Sequence, residues 1–261
     1  DPEKGVEANK LFDDAREMLS DIIKHKKLQA NAIFGLFPAH VVEDDSIEVF
    51  ADEAKNKKLA EFHTLRQQNK KSAGQPNSAF ADFLAPSEYD IVDYMGCFAV
   101  TTGLGLDAIV AQYEKEHDDY NAIMAKALAD RLAEAFAELL HLKVRKDYWG
   151  YASDEQLAND ELIMEQYKGV RPAPGYPGSP DHTEKITLFE LLDVENKTGI
   201  SLTENLAMLP TASVSGFYFA HPESKYFGLG KIGKDQVADI AKRKNKPFDD
   251  IERWLQPNLN Y

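Results

Sequence analysis

The sequence predicts an α+β fold, and three observations lead there. β-rich runs are scattered among helical patterns, without the regular strand–helix alternation of a doubly wound sheet. Two pairs of those runs are joined by turn sequences short enough for antiparallel hairpins. One long stretch with apolar residues at three- and four-residue spacing supplies a helix to cover a sheet.

The elements follow in order. From Val6 to Lys24, Leu11, Phe12, Met18, Leu19, Ile22 and Ile23 recur at helical spacing. Ala32 to Pro38 is a short apolar run ended by proline and reads as a strand. Glu43 to Ser46 reads as a turn and Ile47 to Ala51 as the returning strand of a hairpin. Lys55 to Gln68 is polar, with Leu59, Phe62 and Leu65 at spacing three, which predicts a surface helix. Ser72 to Ser78 holds Gly, Pro and Asn and reads as a loop. Within Tyr89 to Val100 the second half predicts a buried strand.

Asp107 to Asp147 predicts the long central helix. Its apolar stripe runs through Tyr120, Ile123, Met124, Ala127, Leu128, Leu132, Ala135, Phe136, Leu139, Leu140 and Val144, with Asp130, Glu134 and Glu138 off most of it. Asp118 and Asp119 suit the positive end of a helix dipole. Asp154 to Tyr167 and Thr187 to Lys197 predict shorter helices, the second stopped by Gly199. Ala212 to Phe219 and Lys225 to Ile232 read as a second hairpin, which sends Tyr226 and Phe227 to opposite faces. Asp235 to Lys244 and Pro247 to Leu255 end the chain as helices. No repeat, low-complexity tract or linker divides it, so residues 1–261 read as one domain.

Composition narrows the function. A net charge of −14 argues against sequence-independent nucleic-acid binding, which wants a basic face. No apolar run approaches the roughly 20 residues that span a bilayer, and no signal peptide opens the chain. A lone cysteine, Cys97, sits in an apolar run and reads as a buried inert thiol, in keeping with a reducing cytoplasm. Asp1 is not a natural start, so the chain reads as part of a longer polypeptide.

Among candidate sites, Gly103 to Ala108 loosely matches a dinucleotide fingerprint, but the unit around it is wrong and a strand-to-helix turn is the simpler reading. His63, His117, His141, His182 and His221 have no partner at metal-ligand spacing. The informative stretch is RPAPGYP from Arg171 to Pro177. Three prolines in seven residues fix φ and remove donors. The result is a stiff loop carrying Arg171 and Tyr176, suited to gripping a small ligand by a carboxylate through two parallel hydrogen bonds. A plain connector with Arg171 in solvent is the alternative. Glu165 could meet a ligand ammonium or simply be solvated. An aromatic face at Tyr226 or Phe227 would suit a sulfonium or a purine, or pack as core.

Several segments together resemble a known family. They are HDDYN from His117, AKALADRLAEAFAE from Ala125, RKDYWGY from Arg145, RPAPGYPGSPDHTEK from Arg171, SVSG from Ser213, SKYF from Ser224, KDQV from Lys234 and WLQPNLNY from Trp254. The chain resembles, over nearly its whole length, the C-terminal activation domain of cobalamin-dependent methionine synthase. The resemblance implies a C-shaped α+β domain with a twisted, largely antiparallel sheet. It implies binding of S-adenosylmethionine and its presentation to cob(I)alamin, a reductive remethylation that reactivates a homocysteine methyltransferase. Flavodoxin or a reductase flavoprotein would supply the electron. Cobalamin would belong mainly to another domain of the same polypeptide, and zinc only to others. The implied ligand contacts are Arg171, Tyr226 and Phe227, with the Ala173 backbone, Tyr176 and Glu165 beside them. Phe227 stands where the family often has tyrosine and brings no hydroxyl. An acidic ligand residue would fall before Asp1, which keeps open a docking module without ligand binding. Asp130 is implied to face the cobalamin domain. The sulfonium carries its own leaving group, so no general base is required, and the protein's part is to bind and position.

Overall fold

A computed structural model describes residues 2–43 and 45–261, with the backbone alone for residues 2–4. Asp1 and Asp44 lie outside the described residues, so the turn expected over residues 43–46 is seen only at its flanks. The chain order is α1 (Pro2–His25), β1 (Gln29–Val42), β2 (Ser46–Phe50), β3 (Lys58–His63), a 3-10 turn (Phe80–Phe83), β4 (Asp93–Leu104), α2 (Leu106–Lys115) and α3 (Asp119–Lys143). A π-helical turn (Val144–Tyr148), α4 (Asn159–Ile163), α5 (Glu184–Leu192), α6 (Val194–Thr198), β5 (Ser201–Leu202), β6 (Met208–Leu209), β7 (Ser213–Tyr218), α7 (Lys234–Arg243) and α8 (Phe248–Leu255) follow. The main sheet has the order β3-β2-β1-β4-β7, and β5 pairs with β6. The β1–β2 hairpin and the β2–β3 pair are antiparallel, and the fold is α+β. No helix among the described residues is long and apolar enough to cross a membrane.

Contacts group the chain into two compact units. Residues 1–33, 99–140 and 195–214 form the first. Its core joins Met18 and Ile22 of α1, Leu106 and Val110 of α2, and Ala125, Ala129 and Ala133 of α3. The long helix expected over residues 107–147 is therefore two. His117 takes a left-handed φ of 58°, and the Asp118 carboxylate caps the new helix by accepting the Asn121 N–H at 3.0 Å. The buried face of α3 also differs from the expected stripe. Met124, Leu140 and Val144 of that stripe are buried, but Tyr120, Ile123 and Leu139 are exposed, and Ala125, Ala129, Ala133 and Ala137 are buried in their place. Small side chains let a neighbouring strand approach the helix backbone, and the Thr102 hydroxyl of β4 donates to the Ala129 carbonyl at 2.7 Å. The Gly103–Ala108 segment is the strand-to-helix turn. Gly105 takes φ +96°, where a Cβ would lie 2.6 Å from the Lys27 carbonyl oxygen.

Residues 34–98, 141–194 and 215–261 form the second unit. Here β1 runs on through Pro38. Val41 donates to Ala85, so by alternation the missing donor of Pro38 faces the other side, where pairing with β2 begins only at Ala39. The helix expected at residues 55–68 is strand β3. Its spacing-three apolar residues were a coincidence of an edge strand. Lys58 reaches Glu48 across the pair and Glu61 along it, both at 2.8 Å, and of the three apolar residues only Phe62 and Leu65 are buried. The helix expected at residues 154–167 shrinks to the single turn α4, and the one at residues 187–197 starts earlier and breaks at Asp193, which is left-handed. The second hairpin does not form. Residues 225–231 form neither strand nor helix, and Leu229 and Ile232 are drawn into a cluster with Val237, Ile240, Ile251 and Leu255 of α7 and α8. Cys97 is wholly buried, and burial pushes its thiol pKa up.

Candidate functional site

The proline loop is built onto the end of β7. Val170 and Phe219 exchange backbone hydrogen bonds at 3.0 and 3.1 Å, and Phe217 donates to the Pro172 carbonyl at 2.9 Å. Proline can only accept in such a ladder, and Pro172 is used that way. Gly216 makes this approach possible, since a Cβ there would lie 2.5 Å from the Pro172 oxygen. Beyond Pro174 the chain turns on itself. Tyr176 donates to Ala173 at 3.2 Å, Gly175 to Ser179 at 2.7 Å, and Ser179 to Tyr176 at 2.9 Å. Leu229 then donates to Pro177 at 2.7 Å, which ties the segment after Tyr226 to the loop.

Tyr226 and Arg171 meet although 55 residues separate them. The Arg171 backbone N–H donates to the Tyr226 hydroxyl oxygen at 3.0 Å. The Arg171 guanidinium points toward the end of α3. Its Nη1 donates to the Tyr167 hydroxyl and lies 3.4 Å from His141 Nδ1. His141 is fully buried, stacked on Tyr218 with centroids 4.9 Å apart and edge-on to Tyr167 at 5.1 Å. Burial first, then the charges of Arg145 and Arg171, hold its pKa well below the ordinary histidine value. A neutral imidazole results, able to accept from a guanidinium. Its Nε2 lies 3.5 Å from the Tyr151 hydroxyl, whose own pKa burial pushes up.

Arg145 lies behind this layer with no exposed side-chain surface. It forks onto both oxygens of Glu155 at 2.9 and 2.8 Å and lies over the Tyr167 ring at 3.8 Å. A buried ion pair thus holds the aromatic ring whose hydroxyl receives Arg171.

The other expected residues are placed as follows. Phe227 is partly buried and packs on Phe80, with centroids 4.6 Å apart. Ala173 offers its carbonyl to the Tyr176 turn. The Tyr176 side chain is exposed. Glu165 is exposed just past α4 with a left-handed φ of 54°, and no side-chain hydrogen bond joins it to the loop among the described residues. Asp130 is exposed on α3, in the first unit. Sequence reasoning missed His141, Arg145, Glu155 and Tyr167. One signal was available, since His141 and Arg145 are four apart and share a helix face. Weighing His141 only as a metal ligand hid it.

The loop thus sets the Arg171 guanidinium, the Ala173 carbonyl and the Tyr226 phenol ring at the edge of the sheet beside β7, in an α+β fold. Residues 1–245 match the family model described as vitamin B12 dependent methionine synthase, activation domain. The chain belongs to that family. It is also similar to a solved crystal structure of the MetH reactivation domain bound to AdoHcy, at 55% identity and a TM-score of 0.96, over 98% of this chain and 78% of that one.

Proposed function

We propose that residues 1–261 are the activation domain of a longer methionine synthase and bind S-adenosylmethionine at the Arg171–Pro177 loop. Arg171 grips the ligand carboxylate. Its guanidinium is oriented for this by the Tyr167 hydroxyl and His141. The Ala173 carbonyl accepts from the ligand ammonium, with Glu165 contributing its charge from nearby. Tyr226 lies against the ligand, held in place through its hydroxyl. Phe227 and Tyr176 border the site. The donor set suits the ligand, since a fork-shaped cation, a backbone acceptor and an aromatic ring match an α-amino acid joined to a sulfonium and a purine.

The methyl group passes to cobalamin carried by another domain of the same polypeptide, with flavodoxin or a reductase flavoprotein as electron donor, in the cytoplasm. Zinc belongs to other domains of that polypeptide. The chain's own residues position the donor and take no part as acid or base. The observation that carries this reading is the pairing of Arg171 with Tyr226 and His141 in a chain 55% identical to a relative solved with AdoHcy.

Isothermal calorimetry tests it, with S-adenosylmethionine and AdoHcy as titrants. Saturable binding that Arg171→Ala weakens by roughly 2–5 kcal/mol supports the reading. Absence of binding by the unaltered chain favours a docking module with no ligand of its own.

A further inference from the structure

We propose that His182 is a positioning residue for the binding loop, its imidazole bracing the turn at Gly175 and Lys185 holding the ring in place. The inference rests on the ligand-binding reading above and adds to it. Gly175 takes φ +96°, open to glycine and strained for other residues. A Cβ at Gly175 would lie 2.3 Å from His182 Cε1, 2.7 Å from Nδ1 and 2.9 Å from Nε2. The ring therefore lies against the glycine Cα, in the space a side chain would take. The turn it supports carries the Ala173 carbonyl on one side and Tyr176 on the other.

Lys185 sets the state of that ring. Its Nζ lies 3.0 Å from His182 Nδ1, and an ammonium can only donate. Burial lowers the Lys185 pKa, and with its amine charged Nδ1 is the acceptor and Nε2 carries the proton of a neutral ring. Lys185 is itself buried. Among the described residues, Asp181 and the Trp254 ring, at 6.3 Å, also face His182. The Asp181 carboxylate is engaged by Thr183 at 2.8 Å and by Lys244. Burial and the Lys185 charge both lower the His182 pKa. Protonation would remove the acceptor and set two cations 3.0 Å apart. The brace would then loosen on the acid side of neutrality, while Arg171 keeps its own anchors on Tyr167, His141 and Tyr226.

The test uses the whole chain and three variants. Affinity for S-adenosylmethionine is measured by calorimetry between about pH 5 and 8, and amide exchange is followed across residues 173–178. His182→Ala, which empties the space, should weaken binding about tenfold and speed exchange. His182→Phe, which keeps a ring but cannot titrate, should bind nearly as the unaltered chain does and lose its acid-side decline. Lys185→Met should move that decline to higher pH, because a neighbouring cation is gone. An unaltered profile and unaltered exchange in all three would overturn the role of His182. No binding by the unaltered chain would instead defeat the ligand reading, and exchange alone would then decide for or against the brace.

Discussion

The Arg171 guanidinium comes within 3.4 Å of Nδ1 of His141, a histidine with no exposed surface. The two residues are 30 apart in sequence, and the contact gives a mobile cation a fixed direction. Hydrogen bonds to charged groups contribute about 1.5–3 kcal/mol. His141→Leu should therefore weaken S-adenosylmethionine binding by about tenfold, while His141→Asn, which can still accept, should lose less. Calorimetry on both variants checks the order.

The same histidine makes stability depend on pH. Its folded pKa lies well below the unfolded value near 6.5, so the unfolded chain binds more protons in the window between. Stability should be fully present above about pH 6.5 and fall as the pH drops toward the folded pKa. His141→Phe should flatten part of that fall. Urea midpoints measured across the acid range test this, and an unchanged slope in the variant would show that His141 does not carry it.

Arg145 and Glu155 form the buried pair beneath Tyr167. Removing one partner leaves a charge in a low-dielectric site, at a cost of about 3–5 kcal/mol. Glu155→Ala should lower stability by that amount, read from denaturant unfolding. A loss under about 1 kcal/mol would place the pair in the class of screened surface bridges.

Gly216 lets the loop touch the sheet. Gly216→Ala would set a methyl 2.5 Å from the Pro172 oxygen, and neither backbone can yield without breaking the Phe217 to Pro172 bond. Overpacking of this kind costs about 1–3 kcal/mol. The variant should melt earlier and bind ligand more weakly, measured by calorimetric melting and titration.

Lys244 holds Asp181 and Glu184, two carboxylates nearly without exposed surface. Lys244→Met should destabilise by about 3–5 kcal/mol. The charges of those partners outweigh burial and raise the Lys244 pKa above its ordinary value. Its contribution is thus complete below about pH 10.4 and fades as the pH climbs through the folded pKa. Alkaline unfolding of the unaltered chain and of the variant checks the sign.

The hairpin of β1 and β2, α1, α7 and α8 could be read from the sequence, because local periodicity and turn residues decide them. β3 could not, since its charges pair across strands and imitate a polar helix face. Residues 225–231 misled for the opposite reason, alternating like a strand while Leu229 and Ile232 are claimed by the cluster on α7 and α8. On α3 hydrophobicity alone brought Tyr120, Ile123 and Leu139 into the stripe, whereas close packing buries Ala125, Ala129 and Ala133. At the site, Arg171 stood out because a proline-rich run follows it, and the SKYF segment placed Tyr226 by resemblance. Glu155 and Tyr167 stayed hidden because their roles come from burial and from contacts across many residues, which no spacing rule records, while the four-residue step from His141 to Arg145 marks a shared helix face but not its burial.

A crystal structure of this chain with S-adenosylmethionine tests the central claim most directly. The ligand carboxylate should lie on the Arg171 guanidinium and the adenosyl part against Tyr226. A ligand bound elsewhere, with Arg171 still confined to Tyr167 and His141, would contradict it.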